Sequence, residues 1–227
     1  MANVLQDRKP TTARWTVLSY VAVGVLGLTY AGLVGRTWHR QTPEGNMTLA
    51  QAVHDFDAGH LTPATAVFRT LANRGDPHAA YWYGHALDFG LGTPVDTKAA
   101  ILQYQKAAAG GVVLADARLG ELYLSGNAVP PNFVEARSYL TTAARRGNPR
   151  AALDLGQMLQ QGIGGPADPV GAYSWLEVAS LGGNEQARVE RDHLLPALSP
   201  AQQAEAVQQA NAIAPVAVGI TGHDAKA

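Results

Sequence analysis

Seven histidines and eighteen carboxylates are the groups of this chain best suited to chemistry, and their spacing argues against most of it. His39, His54, His60, His78, His85, His193 and His223 contain no His-x-x-x-His pair. His78 and His85 are seven residues apart, so on a helix they share a face, about 10 Å apart along the axis. A single zinc would need a further ligand between them. Gly162, Gly164 and Gly165 make a glycine-rich stretch, but no lysine follows as in a phosphate-binding loop. None of the serines sits in a G-x-S-x-G elbow. The absence of cysteine removes thiolate nucleophiles, disulfides and Cys-based metal sites together. Glu190, Arg191 and Asp192 read as a solvated helix face. No catalytic, cofactor or metal site is expected, and the chain does not read as an enzyme.

What remains is contact chemistry. Trp82, Arg118 and Asp154 follow one another at a step of 36 residues, as do His85, Glu121 and Gln157, and Phe89, Ser125 and Gln161. Within each unit, offsets of three, four and seven put these positions on one helical face. Trp and Arg are common interface anchors. The expected partner-binding set is Trp82, His85, Phe89, Arg118, Glu121, Asp154 and Gln157. Two plainer readings stand beside it. Trp82 and Phe89 also suit packing against a preceding helical pair, and the polar members also suit a solvated helix surface.

The same step of 36 organises the elements that must carry these side chains. It relates Gly84, Gly120 and Gly156, and also Gly90, Gly126 and Gly162, and Pro94, Pro130 and Pro166. Gly75, Gly111, Gly147 and Gly183 keep it, as do Ala79, Ala115, Ala151 and Ala187, and Ala64, Ala100, Ala136 and Ala172. A fixed period of this length signals a solenoid, whose units cannot bury their apolar faces alone. Asp76-Pro77 and Asn148-Pro149 open first helices, with Pro where its missing N–H is harmless. Asp96, Asn132 and Asp168 cap the second helices. Gly90, Gly126 and Gly162 suit left-handed residues at helix ends. Gly84, Gly120 and Gly156 fall mid-helix, where Gly costs about 1 kcal/mol relative to Ala, so close helix contact is expected there. Tyr83, Leu119 and Leu155, Leu87, Tyr123 and Leu159, and Tyr104, Leu140 and Leu176 are the expected core columns.

Gly75-Asp76-Pro77, Ala79-Ala80-Tyr81, Tyr83-Gly84, Gly90, Asp96, Lys98-Ala99-Ala100, Tyr104, Ala107-Ala108 and Gly111 together resemble a Sel-1-like repeat, a relative of the tetratricopeptide hairpin. The third unit departs at Gly171 and at Val178-Ala179-Ser180. The resemblance implies an all-α, right-handed solenoid of helical hairpins and a non-catalytic adaptor that binds a protein partner on its concave face. The expected order is a capping helical pair over 47–74, repeats over 75–110, 111–146 and 147–182, capping helices over 183–213 and a tail over 214–227. In the first pair, Thr62 before Pro63 reads as a helix N-cap. Ser199-Pro200 opens a polar helix expected to close the end of the array.

The amino-terminal part is of another kind. Residues 16–35 contain no charged side chain and would span about 30 Å as a helix. Trp15, Tyr30 and Trp38 flank or end the run as interfacial aromatics do. Residues 1–15 precede it and 36–46 form a polar linker. A single transmembrane helix, a cleaved signal peptide with Thr29 and Ala31 near the cut, and a buried core helix all fit, and the length favours the transmembrane anchor. Three basic residues before the run against two just after leave the amino terminus in the cytoplasm. That places the solenoid on the periplasmic side of an inner membrane. Arg outnumbers Lys 13 to 4 among abundant alanines, which fits a high-GC bacterial source. Residues 1–46 carry net +3 and the whole chain -1, so the rest carries -4 with no basic run, and no nucleic-acid partner is expected. A soluble exported regulator binding a sensor or cell-wall component is the main alternative, and a cell-wall-active enzyme the lesser one.

Overall fold

The computed structural model describes residues 47–127 and 129–220. The expected membrane span at 16–35 and its flanks lie outside them. Among the described residues no helix is long and apolar enough to cross a membrane. Ten α-helices follow in order: α1 Leu49–Asp57, α2 Leu61–Asn73, α3 Pro77–Phe89, α4 Thr97–Ala109, α5 Val113–Ser125, α6 Phe133–Arg145, α7 Pro149–Gln161, α8 Pro169–Leu181, α9 Glu185–Leu194 and α10 Pro200–Ile220. Consecutive helices pack in pairs, and the second helix of each hairpin packs on the first helix of the next.

Each boundary has a local cause. Asp76, Asn148 and Asn184 accept from the N–H of Ala79, Ala151 and Ala187 at 2.9, 2.9 and 3.0 Å. Asp96, Asn132 and Asp168 do the same for Ala99, Glu135 and Gly171 at 2.9, 3.2 and 2.8 Å. Such a cap stabilises a helix by about 1 kcal/mol. Gly90, Gly126 and Gly162 end the first helices with φ of 71°, 67° and 68°, a region that side chains with a Cβ rarely enter. Thr48 and Gln51 form a capping box on α1.

The mid-helix glycines sit where two helices meet. A Cβ on Gly84 would lie 3.0 Å from the Tyr104 ring, one on Gly120 2.5 Å from Leu140 Cγ, and one on Gly156 2.9 Å from Leu176 Cγ. Tyr104, Leu140 and Leu176 are fully buried, as are Ala100, Ala136 and Ala172. The alanine and glycine columns therefore let each hairpin close, and the large residue of the second helix fills the space above the glycine.

Two expectations change. Thr62 is not an N-cap: α2 starts at Leu61 with His60 at the cap position, so Thr62 and Pro63 both lie in the first turn. Pro63 is tolerated there because first-turn N–H groups have no partner within the helix. The last helix runs past the expected boundary at 213 to Ile220, even though Pro215 and Gly219 are poor helix formers. It packs chiefly along α8 and reaches α6. Ser199 and Gln202 cap it reciprocally. Ala206 and Ala210 are buried, and the Ser174 hydroxyl, fully buried in α8, donates toward Val170 O at 2.9 Å and Ala206 O at 3.0 Å. Only one of these can hold its proton at a time. Covered by α7, α9 and α10, α8 buries residues all round its circumference.

Candidate functional site

The first helices α3, α5, α7 and α9 adjoin on one side and bring most of the expected contact residues together. A groove of about 510 Å³ opens there, lined by Asp88, Arg118, Glu121, Leu122, Leu124, Ser125, Asn127, Arg150 and Asp154. Arg118 of α5 is its centre. Its guanidinium bonds Asp88 Oδ2 of α3 at 2.7 and 2.8 Å and Glu121 Oε2 at 2.8 Å. Burial pulls the Arg118 guanidinium down, but the bonds to Glu121 and Asp88 outweigh it and hold the group above its ordinary value. Glu121 in turn pairs with Arg150 of α7 at 2.7 Å. The result is a ladder of alternating charge, Asp88–Arg118–Glu121–Arg150, running across three hairpins.

Farther along, the Gln157 amide donates to Glu190 Oε1 of α9 at 2.8 Å, and Gln186 donates to the same oxygen at 2.8 Å. Between these two systems lies Asp154. Among the described residues nothing donates a hydrogen bond to it or forms an ion pair with it. Burial pushes the Asp154 carboxyl up to about 6; Glu121 and Glu190 add to the rise and Arg150 opposes it.

The amino-terminal end of the same side is aromatic. Trp82 stacks on Phe68 of α2 at 5.8 Å and meets Phe56 of α1 edge-on at 5.8 Å. Trp82 thus packs between the first repeat and the capping pair, and it also lines a smaller cleft with His78, Tyr81, Gly111–Leu114 and Arg146. His85 is half-buried against Trp82, Phe56 and Phe89, its ring 4.7 Å from that of Phe89. Burial lowers the His85 imidazole, with Asp88 opposing and Arg118 reinforcing, so the ring is neutral at pH 7. Phe89 remains 51% exposed at the groove rim, where the Arg118 guanidinium lies 4.9 Å over its ring.

Of the seven expected residues, Arg118, Glu121 and Asp154 line the groove, Gln157 continues it, Phe89 borders it, His85 backs the rim and Trp82, half-buried, packs among the aromatic side chains of α1 and α2. Asp88, Arg150 and Glu190 carry much of the site and were not expected. Asp88 is 5% exposed, and its column continues as Leu124 and Gln160, so no repeated polar type marked it. The available signal was charge: Asp88 and Arg118 are opposite charges 30 residues apart, just short of one period. Among the described residues no three His, Cys, Asp or Glu side chains gather as a metal site.

Residues 77–112, 113–148 and 149–184 each match the family model described as Sel1 repeat. Among solved structures, a Sel1 repeat protein from Oxalobacter formigenes is 24% identical, with TM-score 0.63 over 71% of this chain and 68% of that one. The protective antigen c5321 of uropathogenic Escherichia coli, which displays an SLR fold, is 20% identical, with TM-score 0.44 over 79% of this chain and 51% of that one. The first of these shows the fold. No curated protein matches the chain.

Proposed function

We propose that this Sel1 repeat array is a non-catalytic scaffold that holds a protein partner in the groove between α3, α5 and α7. One observation carries the reading. The recurring Ala, mid-helix Gly and large second-helix residues are buried in packing, while Arg118, Glu121 and Asp154, which differ in type from their counterparts one period away, line one open cavity of about 510 Å³. With residues 16–35 as a single-pass anchor and the array on the periplasmic side, the scaffold would work at a bacterial inner membrane. Tethering raises its effective concentration near membrane partners without any new contact. Such a module suits an envelope, secretion or signalling assembly.

A photocrosslinking residue at Ser125, which lines the groove, should give a discrete protein adduct in the producing cell. The same residue at Ser138, exposed on α6, should not. Equal adducts from both positions would remove the groove from the reading. Alkaline extraction of membranes tests the anchor, because only an uncleaved span resists it.

A further inference from the structure

We infer that the groove selects a partner segment bearing a lysine or arginine, whose side chain is received by Asp154. The inference rests on the scaffold reading and specifies the chemistry of the partner. It does not rest on an accumulation of carboxylates, because the others are already engaged. Asp88 and Glu121 are held by Arg118 and Arg150. Glu190 accepts from Gln157 and Gln186. Arg118 directs its donors at Asp88 and Glu121, and Arg150, exposed at the groove mouth, bonds Glu121 through its Nε. The single lining charge left without a partner is the Asp154 carboxylate.

That arrangement is unfavourable in the free protein. Asp154 is half-buried and faces Glu121 of α5 and Glu190 of α9; Arg150, one turn earlier on its own helix, offsets them in part but forms no ion pair with it. A half-buried charge with like neighbours opposes its own ionisation. A cation entering the cavity reverses each of these effects, supplying the missing partner and screening the two glutamates. The cavity is open and deep enough for a side chain, not only for an ion. Its other end supplies a different contact: Phe89, half-exposed, with Arg118 lying over its ring. An apolar side chain of the same segment would rest there. The partner is therefore a peptide segment with an apolar residue toward α3 and a basic residue toward α7.

Selection of displayed random dodecapeptides on the full-length chain in detergent tests this. Peptides enriched at neutral pH should carry Lys or Arg at one aligned position. Replacing that residue by Gln should weaken binding to the unaltered chain about tenfold and binding to Asp154→Asn hardly at all. Arg118→Lys, which keeps the charge beside Asp88, should retain the basic preference. If the Gln peptide loses the same factor on both proteins, or if the enriched peptides are neutral or acidic yet displaced by Ser125→Trp, the basic-residue inference fails and the groove stands. If nothing is enriched, or Ser125→Trp leaves binding intact, the groove reading itself fails.

Discussion

The two ends of the first-helix face use the same backbone positions for opposite purposes. At the amino-terminal end, position 82 is a Trp stacked on Phe68, and position 85 a His backed by Phe56. One and two periods later the same columns hold Arg118 and Asp154, and Glu121 and Gln157, all facing an open groove. The difference comes from what each unit lies against. The first repeat must cover the apolar faces of α1 and α2, which lack the glycine column and so present large aromatic side chains. The second and third repeats lie against copies of themselves, whose close contacts are met by Gly, Ala and one large residue. Their first-helix faces are then free for polar groups. A column of a repeat protein thus has a geometry throughout, but a role only where its neighbours leave it one.

The comparison is most exposed to Trp82→Ala. If the aromatic end is packing, this change should lower stability by about 3 kcal/mol in chemical denaturation. It should leave peptide capture by the folded protein unchanged. Unaltered stability with lost capture would return Trp82 to the contact surface. Next is Arg118→Ala, which leaves the Asp88 carboxylate, little exposed in the groove wall, without its cation. A loss of about 2 kcal/mol is expected, larger than for exposed ion pairs. Asp88→Asn combined with Arg118→Ala should recover much of it.

Asp154→Asn should act in the opposite direction. The folded protein holds the Asp154 proton up to about pH 6, against an ordinary value of 3.8, so its stability falls as pH rises through that interval. The groups facing it are Glu121, Glu190 and Arg150. The variant should be about 1 kcal/mol more stable near pH 7 and indistinguishable near pH 4. Thermal melts at the two pH values decide it; a gain that persists in acid would mean that ionisation is not the cause. Phe89→Ala should have the smallest effect on stability, about 0.5 kcal/mol or less, because the side chain is half in water. Its effect belongs to peptide capture.

Much of the frame was legible because backbone constraints repeat. Gly84, Gly120 and Gly156 announced a close contact before its partners were known, and Tyr104, Leu140 and Leu176 fill it. The Asp and Asn caps of the second helices fell where their step put them. The site was legible only by halves. Comparing units column by column finds what varies, so it found Arg118, Glu121 and Asp154. It does not find which residues of different columns meet, so Asp88, Arg150 and Glu190 were missed. Trp82 was left open because its partners, Phe56 and Phe68, lie in the pair that breaks the period. The contacts by which α10 docks on α8 were illegible for a related reason. Ser174 reads as a surface residue until the Ala206 carbonyl is set against it.

One column of caps has a gap. Asp76, Asn148 and Asn184 open their helices with a side-chain acceptor, but α5 starts after Val112, which has none. The Ala115 N–H turns back to the Val112 carbonyl at 3.0 Å, and the Val112 side chain is buried instead. That start is anchored by apolar packing and not by a side-chain bond, so the amide of Ala115 should exchange with deuterium faster than those of Ala79 and Ala151, which Asp76 and Asn148 hold. In a stacked array the middle is ordinarily the last part to open. Here the groove's central helix would be the one that breathes, and a bound segment would be felt there first.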